Sequence, residues 1–185
     1  MNYYGAKELA ASYRTVRKNT ITIAEEIPED QYGFRAAEGT QSVGELLAHI
    51  ALGGRFQEQV NFIEKRSAMQ GFDFTKFITA LRAELDQPRT KEQILALLKE
   101  EGEKMAANLE GASDEFLAES IVMPPGGSPP SRTRFDMLLG IKEHEMHHRG
   151  QLMLMERMLG IVPHLTRAAQ ERMAAMRAKQ AEAKV

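Results

Sequence analysis

The stretch Ile141-Lys142-Glu143-His144-Glu145-Met146-His147-His148-Arg149-Gly150-Gln151-Leu152 contains three of the five histidines of the chain. His144 and His148 are four residues apart, so on an α-helix their side chains lie about 40° apart in projection and point the same way. The other residues on this face are Met137, Gly140, Ile141, Gln151, Met155, Met158 and Leu159. Because a helix buries its apolar face, we predict a helix whose paired histidines face a protein core.

A further inward-facing histidine is predicted in Ser42-Val43-Gly44-Glu45-Leu46-Leu47-Ala48-His49-Ile50. The residues around His49 at helical spacing are Leu46, Leu52, Gly53, Phe56, Val60 and Ile63. Burying several histidines costs free energy unless their nitrogens are satisfied, and a divalent metal ion satisfies neutral imidazole well. Two helices packed side by side could bring His49 to His144 and His148. Three protein ligands with a position left open are typical of a catalytic metal site.

Two other interpretations of these histidines are open. A histidine on an apolar face is often a hydrogen-bonded core residue with no ligand. The string His144-Glu145-Met146-His147-His148 also matches the H-E-x-x-H pattern of zinc proteases, in which the glutamate acts as the general base. Glu145 projects about 100° from His144 on a helix, and no third ligand follows downstream, so the protease interpretation is disfavoured.

Composition limits the classes of function. A chain of 185 residues suits one domain with a sizeable core. A net charge of −2 creates no field that would recruit nucleic acid or an anionic membrane. The absence of cysteine excludes disulfides, a cysteine nucleophile and thiolate ligands, and it fits a reducing cytoplasm. No apolar run approaches the roughly 20 residues that span a bilayer, and the start has no signal-peptide core, so we expect a cytoplasmic protein.

Apolar spacing predicts helices throughout, with no segment that alternates as a strand does. The main predicted helices cover about 6–27, 42–69, 75–86, 90–109 and 134–159. The proline- and glycine-rich segment 123–131 is predicted to be a crossover loop that could border the histidine site. Segment 166–184 has high helix propensity but little to bury. We therefore predict a metal-binding bundle domain at 1–162 and a C-terminal helical extension at 163–185.

Three segments together resemble the DinB superfamily, the group that also includes YfiT-like proteins. They are Gly39-Thr40-Gln41-Ser42-Val43-Gly44-Glu45-Leu46-Leu47-Ala48-His49-Ile50, Phe135-Asp136-Met137-Leu138-Leu139 and His144-Glu145-Met146-His147-His148-Arg149-Gly150-Gln151-Leu152. The resemblance covers roughly residues 5–160 and leaves the C-terminal tail unmatched. It implies an all-α, up-down-down-up four-helix bundle of the DinB/YfiT type, here with a short extra helix and a C-terminal helical tail.

The resemblance also implies a divalent metal ion, Zn or Ni, bound by His49, His144 and His148, and a homodimer. Several relatives use such a metal for transfer or isomerisation with low-molecular-weight thiols. The implied function is a thiol-dependent S-transferase or isomerase that acts on a small-molecule substrate with a thiol as cosubstrate. No nucleic acid and no membrane is expected as a partner.

Two alternative functions remain at this point. One is a metal-dependent hydrolase that uses metal-activated water, and the other is a non-catalytic metal-binding or regulatory module. No general base is evident from the sequence. Glu45, His147 and Gln151 are the nearest candidates, in helical projection, to support a ligand or to contact substrate.

Overall fold

The computed structural model describes residues 4–183. The first three and the last two residues, which the predicted domain and its extension include, lie outside the described residues. The elements in chain order are α1 (Ala6–Glu26), a 3-10 turn (Glu29–Gln31), α2 (Val43–Leu52), α3 (Arg55–Glu58), a π-helical segment (Gln59–Ile63), α4 (Phe74–Leu85), α5 (Lys91–Glu110), α6 (Asp114–Ala118), β1 (Ser120–Val122), β2 (Ser131–Thr133), α7 (Arg134–Met158) and α8 (His164–Glu182). None of the described helices is long and apolar enough to cross a membrane.

Four of these helices form the bundle, since α1 and α2 each pack against both α5 and α7. Arg14 near the start of α1 pairs with Glu110 at the end of α5, and Lys91 at the start of α5 donates to the Ile27 carbonyl beyond the end of α1. These two helices are therefore antiparallel. The cross-helix contacts make α7 parallel to α1, whereas α2 runs opposite to α7. The bundle is therefore all-α and up-down-down-up, as predicted.

Capping boxes close the starts of α2 and α5. The Glu45 amide donates to the Ser42 hydroxyl at 3.3 Å, and the Ser42 amide donates to the Glu45 carboxylate at 2.8 Å. Thr90 and Gln93 make the equivalent pair of bonds at α5. Because each box satisfies backbone donors that a helix start leaves free, the local sequence fixes where the histidine-bearing α2 begins.

The prediction of one continuous helix over 42–69 is wrong. The α-helix that begins at Val43 ends at Leu52, turns at Gly53-Gly54, and resumes as α3 and a π-helical segment that ends at Ile63. Glycine is a poor helix former, and a π-helical turn shifts the hydrogen-bond register of the residues after it. The apolar residues beyond the break keep helical spacing, which explains why the pattern predicted no interruption.

The expectation that the chain has no strands is also wrong. Strands β1 and β2 pair antiparallel, with Ile121 opposite Arg132, and the proline-rich segment joins them. Strands of three residues are too short to show an alternating pattern. Backbone bonds connect β1 to Ser67 and Met69, and no hydrogen bond among the described residues connects the proline-rich loop to the three histidines. The predicted position at the border of that site is not supported.

Helix α4 lies on the outside of the bundle, against α2. Its apolar residues at helical spacing are Phe77, Ile78, Leu81 and Leu85, but no residue of α4 is fully buried, and Ile78 is 38% exposed. A helix packed mainly on one neighbour covers its apolar face incompletely.

Polar side chains hold the first turns of α8 against α1 and α7. Arg167 pairs with Glu26, and His164 Nε2 lies 3.3 Å from Asn19 Oδ1. Beside them Glu156 is 0% exposed, and neither of its carboxylate oxygens has a hydrogen-bond partner among the described residues. From Gln170 to Ala183 every residue is exposed, in agreement with the prediction of a helix with little to bury.

Candidate metal centre

The structure brings the three predicted imidazoles of His49, His144 and His148 together. The Nε2 atom of His144 lies 3.0 Å from Nε2 of His49 and 3.1 Å from Nε2 of His148. His144 and His148 share one face of α7, and His49 reaches them from the antiparallel α2. All three rings are partly buried, so the nitrogens meet in a recess from which water is only partly excluded.

Gln151 accounts for the orientation of one imidazole. Its Oε1 atom lies 2.8 Å from Nδ1 of His148. A carboxamide oxygen only accepts, so Nδ1 of His148 must donate, and in the neutral ring Nε2 is then left with a free lone pair. That lone pair faces the other two Nε2 atoms. Gln151 was one of the three predicted supporting residues, and the structure places it in contact with a histidine of the cluster.

Gly53 leaves the space that the His144 ring occupies, a role that the sequence analysis missed. A Cβ atom added at Gly53 would lie 2.9 Å from Cε1 and 3.0 Å from Nδ1 of His144. Any side chain at this position would therefore displace the imidazole. The sequence signal was present, since Gly53 follows His49 by four residues and so lies on the same helix face.

The surroundings favour the neutral forms of His49 and His144. Burial, with smaller contributions from the neighbouring His148, His49 and His147 rings, lowers the pKa of His144 to about 4. Burial also lowers the pKa of His49, with a smaller contribution from His148. Neutral imidazole is the form that coordinates a metal ion.

The geometry fits a metal ion. Nitrogen ligands about 2.0–2.1 Å from a tetrahedral zinc ion lie about 3.3 Å from one another, close to the two distances found here. Each of the three histidines offers one nitrogen, and these nitrogens all lie within 4.8 Å of one another. Three neutral nitrogen donors are a donor set that Zn, Ni, Cu and Fe accept.

Of the other two predicted supporting residues, Glu45 lies away from the cluster, whereas the ring centroid of His147 lies 4.9 Å from that of His148. The carboxylate of Glu45 binds the Arg35 guanidinium through both oxygens, at 2.7 and 2.5 Å, and caps α2. The structure therefore supports the capping role of Glu45 and does not bring it to His49. His147 is exposed, and its Nε2 atom is 3.4 Å from Nε2 of Gln151.

Glu145 faces the core and not the histidine cluster, which excludes the zinc-protease interpretation. It is 1% exposed and accepts a hydrogen bond of 3.0 Å from Nε of Arg17. Arg17 also donates to the Tyr13 hydroxyl and to the Leu98 and Ile50 carbonyls. This buried network connects all four helices of the bundle directly behind the histidines.

Comparison with known proteins identifies similar chains. Residues 12–152 match the family described as the DinB superfamily. YjoA of Bacillus subtilis strain 168, a protein described as uncharacterized, is 26% identical over 155 residues, which cover 84% of this chain and 91% of YjoA. The crystal structure of YjoA, described as a DinB-like protein, superposes with a TM-score of 0.59 at 27% identity over 83% of this chain and 92% of YjoA.

A second solved structure is similar in fold. YfiT from Bacillus subtilis, described as a probable metal-dependent hydrolase with an unusual four-helix bundle topology, superposes with a TM-score of 0.66. The alignment covers 87% of this chain and 91% of YfiT at 16% identity. The predicted DinB/YfiT type of bundle is thus confirmed.

Proposed function

This chain belongs to the DinB superfamily, and from that premise we propose that it is an enzyme dependent on a divalent metal ion held by His49, His144 and His148. The observation that carries the proposal is the convergence of three Nε2 atoms from two antiparallel helices, at 3.0 and 3.1 Å. We propose Zn or Ni as the ion, because imidazole suits both metals.

We propose a thiol-dependent S-transferase or isomerase reaction on a small molecule. An ion held by neutral imidazoles retains its double positive charge and lowers the pKa of a thiol or water that binds it. A thiol activated in this way needs no protein base. This agrees with the absence of a free base in the described surroundings, since Glu45 is paired with Arg35 and Glu145 is paired with Arg17. Neither carboxylate is free to accept a proton from a substrate.

The residues of the chain have separate tasks in this proposal. His49 and His144 supply neutral nitrogens from opposite helices, and Gln151 holds His148 in the tautomer whose Nε2 is free. Gly53 keeps the place of the His144 ring open. Arg17 and Glu145 fix the bundle behind the ligands, so that the three nitrogens keep their spacing when no substrate is bound.

Metal-dependent hydrolysis is the second candidate, with water as the nucleophile. It is favoured by the description of YfiT as a probable metal-dependent hydrolase. At 16% identity that likeness shows the fold, and the description names the second reaction that the same three-histidine site would serve.

One experiment separates the candidates. The protein is loaded with Zn or Ni and assayed with an activated aryl halide or an epoxide with and without added thiol, and separately with an activated ester without thiol. His49→Ala removes one proposed ligand, and His164→Ala is the matched control, because His164 lies at the base of α8, outside the cluster.

Turnover that requires thiol and is lost only in His49→Ala supports the transferase. Ester hydrolysis without thiol, lost in the same variant, supports the hydrolase. Tight metal binding by the wild type with no turnover in either assay supports the third candidate, a metal-binding or regulatory module. Failure of the wild type to retain either metal more tightly than His49→Ala overturns the whole proposal.

We also propose a homodimer in the cytoplasm. Support for the dimer comes from large apolar side chains on the outer surface of α7 and α8, of which Leu154 is 56% and Met176 is 57% exposed. Met158 and Met173 are also exposed on these two helices, and several large apolar side chains exposed on one part of a protein are typical of a contact between subunits. Light scattering during size-exclusion chromatography measures the mass, and a mass of one chain at micromolar concentration contradicts the dimer.

A further inference from the structure

A second recess lies beside the bundle, separate from the histidine cluster. It is a cavity of about 620 Å³ between the start of α2, the end of α4 and the loops that precede α2 and α5. Its size falls in the range of small-molecule sites, which is about 300–1,000 Å³. None of the three clustered histidines contributes to its wall. Ala48, however, lines it and immediately precedes His49, so both sites share α2.

Most of the charge on the cavity wall is already neutralised. Glu45 is bound by Arg35 through both carboxylate oxygens. Arg89 donates to the carbonyls of Gln87 and Glu84, and its guanidinium lies 3.8 Å from the Glu84 carboxylate. These groups therefore hold the wall in shape and have little binding capacity left for a ligand.

Two charged groups on the wall are unpaired. Arg82 and Asp86 lie one turn apart at the end of α4, and neither side chain has a hydrogen bond or ion pair with any residue that the structure describes. An arginine and an aspartate at this spacing on a helix can pair, and a pair of that kind would leave no charge for a ligand. Here the guanidinium and the carboxylate stay apart at the same opening.

The remaining wall is apolar and hydrogen-bonding. Leu85, Ile94 and Ala48 supply the apolar surface, and Ile94 and Ala48 are each 3% exposed. The Ser42 hydroxyl also lies on the wall, where it bonds to both the amide and the carboxylate of Glu45. A site with an apolar floor and two opposite unpaired charges matches a ligand that carries both charges next to an apolar chain.

We propose that this cavity binds a small zwitterionic molecule of the α-amino-acid type. Arg82 binds the ligand carboxylate, Asp86 binds the ligand ammonium, and the ligand side chain lies on Leu85, Ile94 and Ala48. Arg82 contributes as a guanidinium does elsewhere, through two parallel N–H donors that match a carboxylate. The site does not depend on the metal proposal, since none of these residues belongs to the histidine cluster.

Three matched probes test the assignment. L-Norleucine carries both charges, hexanoate lacks the ammonium, and pentylamine lacks the carboxylate, while all three have a similar apolar chain. Each is titrated into the isotope-labelled full chain, with and without metal, and the backbone amides of Gly33, Gly44 and Ala48 on the cavity wall are followed by NMR. We expect norleucine to bind about threefold to tenfold more tightly than either single-charge probe, the ratio given by a net hydrogen-bond contribution of about 0.7–1.4 kcal/mol.

Two variants identify the partner of each charge. With Arg82→Gln, norleucine should bind no better than pentylamine, whose own affinity should not change. With Asp86→Asn, norleucine should bind no better than hexanoate. Both positions are exposed, so neither variant should disturb folding, and Lys179→Gln on the exposed part of α8 is the control that leaves all three affinities unchanged.

Three results would overturn the proposal. Equal affinity for the three probes would make the cavity a non-specific apolar recess. An equal loss of affinity for all three probes in Arg82→Gln would show that this side chain has a structural role and does not bind the ligand carboxylate. Absence of any amide shift at about 10 mM norleucine, a limit that corresponds to very weak binding, would show that no such site exists. Because the titrations are repeated without metal, none of these results depends on the enzyme proposal.

Discussion

Replacing Glu156 by glutamine should stabilise the protein in a manner that depends on pH. Glu156 is 0% exposed at the junction of α1, α7 and α8, and neither of its oxygens has a hydrogen-bond partner among the described residues. Burial and, to a smaller extent, the nearby Glu26 raise the pKa of its carboxyl from 4.5 to about 7 against the opposing effect of Arg167 and Arg157. Glutamine has nearly the same shape and cannot ionise.

The size of the effect follows from linkage. The folded state holds the proton of Glu156 up to about pH 7, whereas the unfolded chain releases it near 4.5. The contribution of protonated Glu156 to the free energy of unfolding is therefore fully present below pH 4.5 and is lost as the pH rises through about 7. Each pKa unit is worth about 1.4 kcal/mol, so the loss of stability reaches at most about 3.5 kcal/mol.

Thermal and urea unfolding of Glu156→Gln and wild type, in the presence of a chelator, measure this difference. Near pH 5 the two proteins should be almost equally stable. Near pH 8 the variant should be more stable by about 2–3 kcal/mol, which is about 4–10 °C in Tm for a chain of this length. Glu143→Gln, an exposed position on the same helix, should change neither value. A variant that is less stable near pH 8, or shifted equally at both pH values, would refute the reasoning.

Three further changes test the site and the core. Gly53→Ala should weaken metal binding about tenfold in a chelator competition, because its Cβ would collide with the His144 ring. Glu145→Gln should lower the free energy of unfolding in urea by about 3–5 kcal/mol, since Arg17 would stay buried without its counter-charge. In metal-free protein, the free energy of unfolding should fall as the pH drops from 6.5 toward 4. The reason is that His144 binds a proton near pH 6.5 in the unfolded chain but only near pH 4 in the folded protein.

Each of these predictions has a clear contradiction. Gly150→Ala is the control, because a Cβ atom at Gly150 meets no described atom within 4 Å, and this variant should bind metal as tightly as the wild type. An equal loss of metal affinity in Gly53→Ala and Gly150→Ala would contradict the steric argument. Unchanged unfolding in Glu145→Gln would mean that the ion pair with Arg17 adds nothing. An acid transition of the same size in metal-free His144→Gln would assign the pH effect to other groups.

The histidine cluster was predictable because local patterns carry it. His144 and His148 share a face through their spacing, and His49 lies among apolar residues at the same helical period. The capping role of Glu45 was visible for the same reason, since Ser42 and Glu45 are three residues apart. Spacing predicts which way a side chain points, and the antiparallel arrangement of α2 and α7 then completes the cluster.

Features that depend on distant partners could not be predicted. Glu145 seemed a candidate base within a motif, yet its partner Arg17 is 128 residues away, so no local pattern reveals the pair. The break at Gly53-Gly54 was missed because the apolar period continues through it to Val60. The close approach of the His144 ring, which leaves no room for a side chain at Gly53, exists only in the assembled bundle.

The reach of the Arg17 side chain has a consequence for kinetics. From α1 it bonds to Ile50 of α2, Leu98 of α5 and Glu145 of α7, at sequence separations of 33, 81 and 128 residues. All these bonds can exist together only after the four helices have met, and we therefore predict that they form after the transition state for folding. Losing them should speed up unfolding and leave the refolding rate almost unchanged. Arg17 therefore controls how long the native bundle persists and has little influence on how fast it assembles.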